Sequence, residues 1–416
     1  MKNTFLRLIL QVFRDKIIFI IKCVGGVVVL HFGQFCDAYL PVVDGVIMVV
    51  KNYAEILNAK YGTCMVVAPA AKDYKDGDAF EMVRVKSIPI PTRYPYRYAM
   101  PSIDKSAREK IETYPLDLIH THSPFGISQY GLKVAKKRNI PIISTFHSKF
   151  YDEFKLALKS EKLARMVVDH AVEYYNQMDQ VWAVNRSTAE TLREYGYKGN
   201  IEIAYNGSDF AYPENAEALR QSIIAEYQIP TDKPMFLFVG QQIWHKNIRL
   251  IIEAMELLKQ QGFAYTMVLV GEGSNANEIK KLVAEKGLEE QFLFTGVLHD
   301  REKLTGFYLA ADLFLFPSLY DNAPLVVKEA SSLRTPSITV SGSNAAEGVV
   351  DGENGFLTEE NAISIAEKIK KIYTEQVDLT AVGNRAQQTL ASSWETIVED
   401  VYGRYVELIA YKNKQL

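Results

Sequence analysis

Short β-branched runs alternate with helix-spaced stretches along most of the chain, in two successive series. The first series is Val27–Leu30, Met65–Val67, Leu118–His120, Ile140–Ser144 and Val181–Val184. Between these runs, Val46–Leu57, Tyr130–Lys137 and Leu156–Tyr175 have the spacing of amphipathic helices. The second series is Met235–Val239, Met267–Val270, Phe292–Phe294, Leu313–Phe316, Ser337–Val340 and Gly355–Leu357. Strands that are apolar without alternation are buried on both faces, as in a parallel sheet covered by crossover helices. The expected fold is therefore α/β, with two Rossmann-like domains over 27–207 and 235–393. A proline-bearing linker over 208–234 separates them, and a helix over 394–416 follows the second.

A length of 416 residues supports two cores of this kind, and 48% hydrophobic with 23% charged residues is a globular balance. A net charge of -3 gives no general attraction to nucleic acid, and no nucleic-acid partner is expected. Cys23, Cys36 and Cys64 form no CxxC pair, which suits a reducing, cytoplasmic setting. Residues 1–26 interleave apolar runs with Lys2, Arg7, Arg14, Lys16 and Lys22. Those charges break any span long enough to cross a bilayer. Two readings stay open for this segment: a peripheral contact with an anionic membrane surface, or a poorly ordered leader.

Ligands of open parallel sheets bind beyond the C-terminal ends of the strands. After the first strand, Asp44-Gly45-Val46 opens a helix. Gly45 there either lets backbone N–H groups approach a phosphate or simply follows Asp44 as an N-cap. The spacing is not GxGxxG, so a dinucleotide dehydrogenase gains no support. In the second series, Met235–Val239 leads into Gly240 and Gln241, with Lys246 ahead of a helix. That ammonium either meets a diphosphate or is a solvated lysine. Gly271-Glu272-Gly273 makes another glycine-lined turn. The densest constellation is Pro317 to Ala330, with Asp321 in a loop and Glu329 on the helix that Pro324 opens. Two carboxylates so placed can accept from different hydroxyls of one extended ligand, or serve only as a cap and a first-turn acid. His120 and His122 share one face at a strand end; they line a cleft or, with a third ligand, hold zinc.

The Asp321-x7-Glu329 element resembles that of the family-4 retaining glycosyltransferases of the GT-B fold, in which two Rossmann-like domains face across a cleft. So do Gly240 with Lys246-Asn247, Gly296, Ala310-Ala311-Asp312, Pro317-Ser318 and Glu347 to Leu357. Asp37-x-Tyr39-x-Pro41, Asp44-Gly45-Val46, His120-Thr121-His122 and Thr145-Phe146-His147 fit the same family more loosely.

The resemblance implies that His147, Asp321 and Lys246 are catalytic. Lys246 would meet the diphosphate, Asp321 the donor sugar and Glu329 the ribose hydroxyls, while His147 would line the cleft. It further implies a donor site completed by Gly45, Gly240, Gln241, Gly271, Gly273, Val297, Asn322, Ala323, Pro324 and Leu325. Val297 would meet the base through its backbone. The terminal helix would cross back to the first domain. Retention would follow from front-face attack with the departing phosphate as base; neither a metal nor a cofactor is expected. The chain departs from the pattern twice: Gln241 stands where the family has Arg, and Ala323-Pro324 where it has Phe-Gly.

The expected activity is transfer of a hexosyl group from a nucleotide-diphosphate sugar, a UDP-sugar by preference, to a lipid-linked or saccharide acceptor. The expected setting is the cytoplasm, with the inner face of the membrane as a further option within it. Arg93-Tyr94-Pro95-Tyr96-Arg97-Tyr98 leans toward a membrane-associated acceptor, or is a folded loop with packed tyrosines. The alternative is a non-catalytic sugar-nucleotide-binding protein on the same fold.

Overall fold

The computed structural model describes residues 29–42, 44–71, 74–90, 95–147 and 150–415. The 1–26 segment, Cys23, Arg93 and Tyr94 lie outside them. The chain divides into two compact units. One gathers residues up to Ala183, Thr191–Ala204 and Glu395 onward; the other gathers Val184–Glu190 and Tyr205–Trp394.

The first unit holds β1 (Leu30–Phe35), β2 (Gly62–Pro69), β3 (Glu81–Val85), β4 (Ser87–Pro89), β5 (Arg97–Ala99), β6 (Leu118–Thr121), β7 (Ile142–Phe146), β8 (Gln180–Ala183) and β9 (Glu202–Ile203). Seven of these form a parallel sheet in the order β3-β2-β1-β6-β7-β8-β9, while β4 and β5 make a separate antiparallel hairpin. The second unit holds β10 (Met235–Val239), β11 (Thr266–Val270), β12 (Phe292–Gly296), β13 (Leu313–Phe316), β14 (Ser337–Val340) and β15 (Phe356–Thr358). They form one parallel sheet in the order β12-β11-β10-β13-β14-β15. Every residue of β10, β11 and β13 is buried, as strands covered on both faces require. Among the described residues no helix is long and apolar enough to cross a membrane.

Three expectations are corrected. The first described strand is Leu30–Phe35, so it runs five residues beyond the expected Val27–Leu30. Val27 and Val28 lie outside the described residues, and Val29 is 47% exposed. Gly33 and Gln34 disguise it. A Cβ on Gly33 would lie 2.8 Å from the Phe35 ring and 2.9 Å from the Leu116 side chain. The 208–234 stretch is not a linker: it contains the Ala216–Glu226 helix, part of the second unit. That helix packs so tightly on the Arg301–Ala310 helix that Gly306 has no room for a Cβ beside Ile223. Finally, Leu156–Tyr175 is two helices, Phe150–Leu158 and Glu161–Tyr175. Lys159 takes a left-handed backbone (φ 51°), and Ser160 caps the second helix by accepting from the Leu163 N–H.

Candidate functional site

In each sheet the strand order reverses once, between β10 and β13 in the second unit and between β1 and β6 in the first. Loops diverge at such a point and open a crevice at the strand ends.

In the second unit the reversal brings the loop after β10 against the loop after β13. Lys246 and Asp321 meet there in an ion pair, with side chains only 13% and 18% exposed. Asp321 also accepts from the Ser318 hydroxyl at 2.6 Å, and the Lys246 ammonium lies 5.5 Å from the Phe316 ring centre. Sequence reasoning gave these two groups separate tasks; in the structure they neutralise each other. Asn247 ties the same loops, donating to the Pro317 carbonyl at 3.1 Å.

Glu329 lies on the Leu325–Ser332 helix, whose N-terminus has no side-chain cap. Its carboxylate accepts from the Tyr308 hydroxyl at 2.9 Å. Burial raises its pKa to about 7, against the lowering effect of that hydrogen bond. The carboxyl thus titrates near neutrality. The loop between the two acids is held through Asn322, whose carbonyl accepts from the Asn185 amide at 2.5 Å. Ala323 and Pro324 line a pocket with Asn206, Lys328 and Glu347. Burial lowers the Lys328 ammonium's pKa, and it donates to the Leu390 carbonyl at 2.9 Å. Leu325 is the first helical residue, and Val297, just after Gly296, is 53% exposed.

The loop after β10 and the loop after β11 interlock. Gly271 has φ +122°, and a Cβ there would sit 2.1 Å from the Gly240 carbonyl oxygen. Gly273 lies directly against the Gln242 backbone. The buried Gln242 donates to the Gly271 carbonyl at 2.7 Å, while its neighbour Gln241 is exposed. Gly240, Gln241, Gly271 and Gly273 therefore fall in one loop cluster. Gln242, Tyr308 and Asn185 were missed, while Ser318 and Glu347 figured only as parts of longer motifs. Only Ser318, three residues before Asp321, left a local signal.

In the first unit Asp44 caps the Gly45–Lys60 helix, accepting from the Ile47 N–H at 2.9 Å and from the Tyr96 hydroxyl at 2.9 Å. No atom lies within 4 Å of where a Cβ on Gly45 would stand, so packing does not require glycine here. Asp37 reaches across the strand reversal and accepts from the Ile127 N–H at 2.8 Å and the Ser123 hydroxyl at 2.7 Å. Of the basic-aromatic run, Tyr96 and Arg97 are engaged within the fold, Arg97 with Ser87, while Tyr98 is 52% exposed.

His147 follows β7 and is 7% exposed; burial lowers its imidazole pKa to about 3. It contacts His122, its Nε2 lying 3.1 Å from His122 Nδ1. The other His122 nitrogen meets Gln34, and both His120 nitrogens are taken by Tyr405 and Thr145. All four ring nitrogens of His120 and His122 thus face hydrogen-bonding partners. Among the described residues, no group of three or more His, Cys, Asp or Glu side chains is placed to hold a metal. Cys36 and Cys64 are buried and unpaired as thiols.

Residues 43–212 match the family model described as Glycosyltransferase Family 4, and residues 220–389 match that described as Glycosyl transferases group 1. The alpha-monoglucosyldiacylglycerol synthase of Streptococcus pneumoniae is 24% identical over 314 residues, covering 74% of this chain and 70% of that protein. A sucrose-phosphate synthase structure from Thermosynechococcus elongatus superposes with a TM-score of 0.74 at 20% identity, over 92% of this chain and all of that one. The Anabaena protein HepE in complex with UDP superposes with a TM-score of 0.68 at 18% identity, over 90% and 98% of the two chains.

Proposed function

We propose a specific reaction for this chain, which belongs to the group 1, family-4 glycosyltransferases of the GT-B fold. It is a glycosyltransferase using a nucleotide-sugar donor. The proposed reaction moves a hexosyl group from a UDP-sugar, with retention, to a lipid-linked or saccharide acceptor at the cytoplasmic face of a membrane.

The observation that carries this reading is the convergence of Lys246, Asp321 and the uncapped Leu325–Ser332 helix at the strand reversal of the second unit. A diphosphate entering there competes with Asp321 for the Lys246 ammonium and takes the helix N–H groups. Asp321, relieved of its cation, becomes an acceptor for a sugar hydroxyl. Glu329, poised near neutrality, accepts from the ribose diol. Leaving-group charge is met by Lys246 and the helix dipole, so the proposed chemistry draws on no metal and no cofactor. His147 lines the sugar side. The departing phosphate serves as base, which makes alignment rather than a second carboxylate the main demand. The UDP held by HepE supports the choice of nucleotide, and the likeness to the pneumococcal alpha-monoglucosyldiacylglycerol synthase supports a lipid acceptor.

A second reading, a binding protein without transfer, is favoured by Gln241, whose neutral amide cannot offset phosphate charge as Arg does. One experiment separates the two. Calorimetry with UDP, GDP and ADP, on wild type and Glu329→Ala, is followed by incubation of UDP-glucose with diacylglycerol vesicles or an oligosaccharide. Selective UDP binding that Glu329→Ala abolishes, with glucosylated product, supports the transferase. Tight UDP binding without product or donor hydrolysis supports the binding protein.

A further inference from the structure

Glu329 is half-buried, and among the described residues its carboxylate makes one hydrogen bond, to a tyrosine from another helix. The Tyr308 hydroxyl donates to Oε2 at 2.9 Å, while Oε1 has no partner among those residues. Tyr308 cannot swing away. Its side chain is fully buried on the Arg301–Ala310 helix, with its ring centre 5.9 Å from that of Phe210 and 5.6 Å from that of Phe314. Its backbone carbonyl accepts from the Thr335 hydroxyl at 2.7 Å. A ring held this way gives the hydroxyl one place to stand, and so gives Oε2 one place too.

The same hydroxyl lies 3.4 Å from the carbonyl of Val326, three residues before Glu329. An ionised carboxylate draws the Tyr308 proton to Oε2. A protonated carboxyl donates to the Tyr308 oxygen instead, and the tyrosine proton turns to Val326. Both states leave the pair satisfied, so the fold tolerates a carboxyl that changes charge near neutrality. Burial keeps Tyr308 itself protonated throughout. The other charges that act on Glu329 oppose one another: Arg301 favours its ionised form, Asp209 disfavours it, and the two are paired at 3.5 Å. Lys328, its neighbour in the helix, donates to the Leu390 carbonyl.

We infer that Tyr308 is a positioning residue for Glu329, pinning Oε2 so that the carboxylate takes both vicinal hydroxyls of the nucleotide's ribose. This rests on the reading that Glu329 holds the ribose. One hydroxyl meets Oε1 and the other meets the remaining lone pair of Oε2. A carboxylate that is already fixed loses little freedom when it binds the pair. Tyr308 thereby sets the preference for a ribonucleotide over its 2′-deoxy counterpart.

The test is calorimetry on the full chain with UDP and 2′-deoxy-UDP from pH 6 to pH 8. Both ligands carry the same titrating phosphates, so the ratio of their affinities reports the ribose contact alone. Wild type is expected to prefer UDP about tenfold at pH 8 and less at pH 6. Tyr308→Phe should cut the pH 8 preference below about threefold and move the midpoint of its pH profile up by about one pH unit. Tyr265→Phe is the control for a lost buried hydroxyl, since Tyr265 donates to the Met255 carbonyl at 2.8 Å. It should change neither the preference nor the midpoint. Wild-type protein carrying 13Cζ-tyrosine needs no variant: the Tyr308 resonance should titrate near pH 7 along with Glu329. A resonance that stays flat across this range overturns the inference. So does Tyr308→Phe with the wild-type preference and midpoint; if Glu329→Ala has meanwhile lost the preference, the ribose reading stands. A preference that Glu329→Ala retains overturns both.

Discussion

The Lys246 ammonium and the Asp321 carboxylate are each other's partner, 75 residues apart in sequence and adjacent where the second sheet reverses. Two groups expected to grip different parts of a donor therefore hold each other before it arrives. Removing the Asp321 charge should release Lys246 for a diphosphate. Asp321→Asn is expected to bind UDP up to about tenfold more tightly, roughly 1.4 kcal/mol, while losing transfer. Lys246→Ala should weaken UDP binding by at least about tenfold and uridine binding little. Calorimetry with the two ligands, beside a transfer assay, checks the opposed signs.

Glu329 makes nucleotide affinity depend on pH. Its carboxyl pKa is pushed up to about 7. The ionised form, acceptor-only and charged, binds a pair of hydroxyl donors much more strongly than the protonated one. UDP affinity should fall as pH falls through 7, about tenfold between pH 8 and pH 6, and Glu329→Gln should flatten that profile. The stability effect has the opposite trend. A folded pKa raised from 4.5 favours the fold most below pH 4.5 and loses that contribution as pH rises through 7. Glu329→Gln should therefore be more stable than wild type at pH 8, by about 3 kcal/mol, in urea titrations.

Gln241 is exposed beside the Lys246 loop, so a larger side chain there displaces nothing buried. Gln241→Arg is expected to leave thermal stability within about 0.5 kcal/mol and to tighten UDP-sugar binding several-fold by adding a second cation. An unchanged Kd would mean that the Lys246 loop alone meets the phosphates.

Two glycines should answer alanine in opposite ways. Gly271→Ala drives a Cβ onto the Gly240 carbonyl at positive φ and should cost about 2–4 kcal/mol. Gly45→Ala meets open space and should leave stability unchanged or slightly raised. If Gly45→Ala nevertheless lowers kcat/KM for the donor, the space it fills is ligand space.

Legibility in the sequence followed local regularity. The strands of the second sheet announce themselves as runs such as Met235–Val239 and Leu313–Phe316, because residues buried on both faces are uniformly apolar. The Asp321 to Glu329 element was legible because a loop and the helix it opens are contiguous in sequence. Tyr308 was not, since it reaches Glu329 from a different helix and nothing in its own neighbourhood needs a hydroxyl. β1 was misplaced for a related reason. Gly33 makes room for neighbouring side chains and Gln34 serves a buried polar network, so the strand lost its apolar look where its chemistry sits. The ion pair between Lys246 and Asp321 was also invisible, because strand order, not sequence distance, brings their loops together.

The first unit takes its last strand, β9, from Thr191–Ala204 and its last helix from Glu395 onward, with Tyr205–Trp394 of the second unit inserted in the chain between them. A ribosome therefore releases every strand of the first sheet long before it makes Tyr405. The second unit, nearly continuous in sequence, can finish folding while the first still lacks its closing helix. Until that helix emerges, His120 Nδ1 lacks the Tyr405 hydroxyl that partners it in the finished fold. The first unit is thus the first to be translated and the last to be completed.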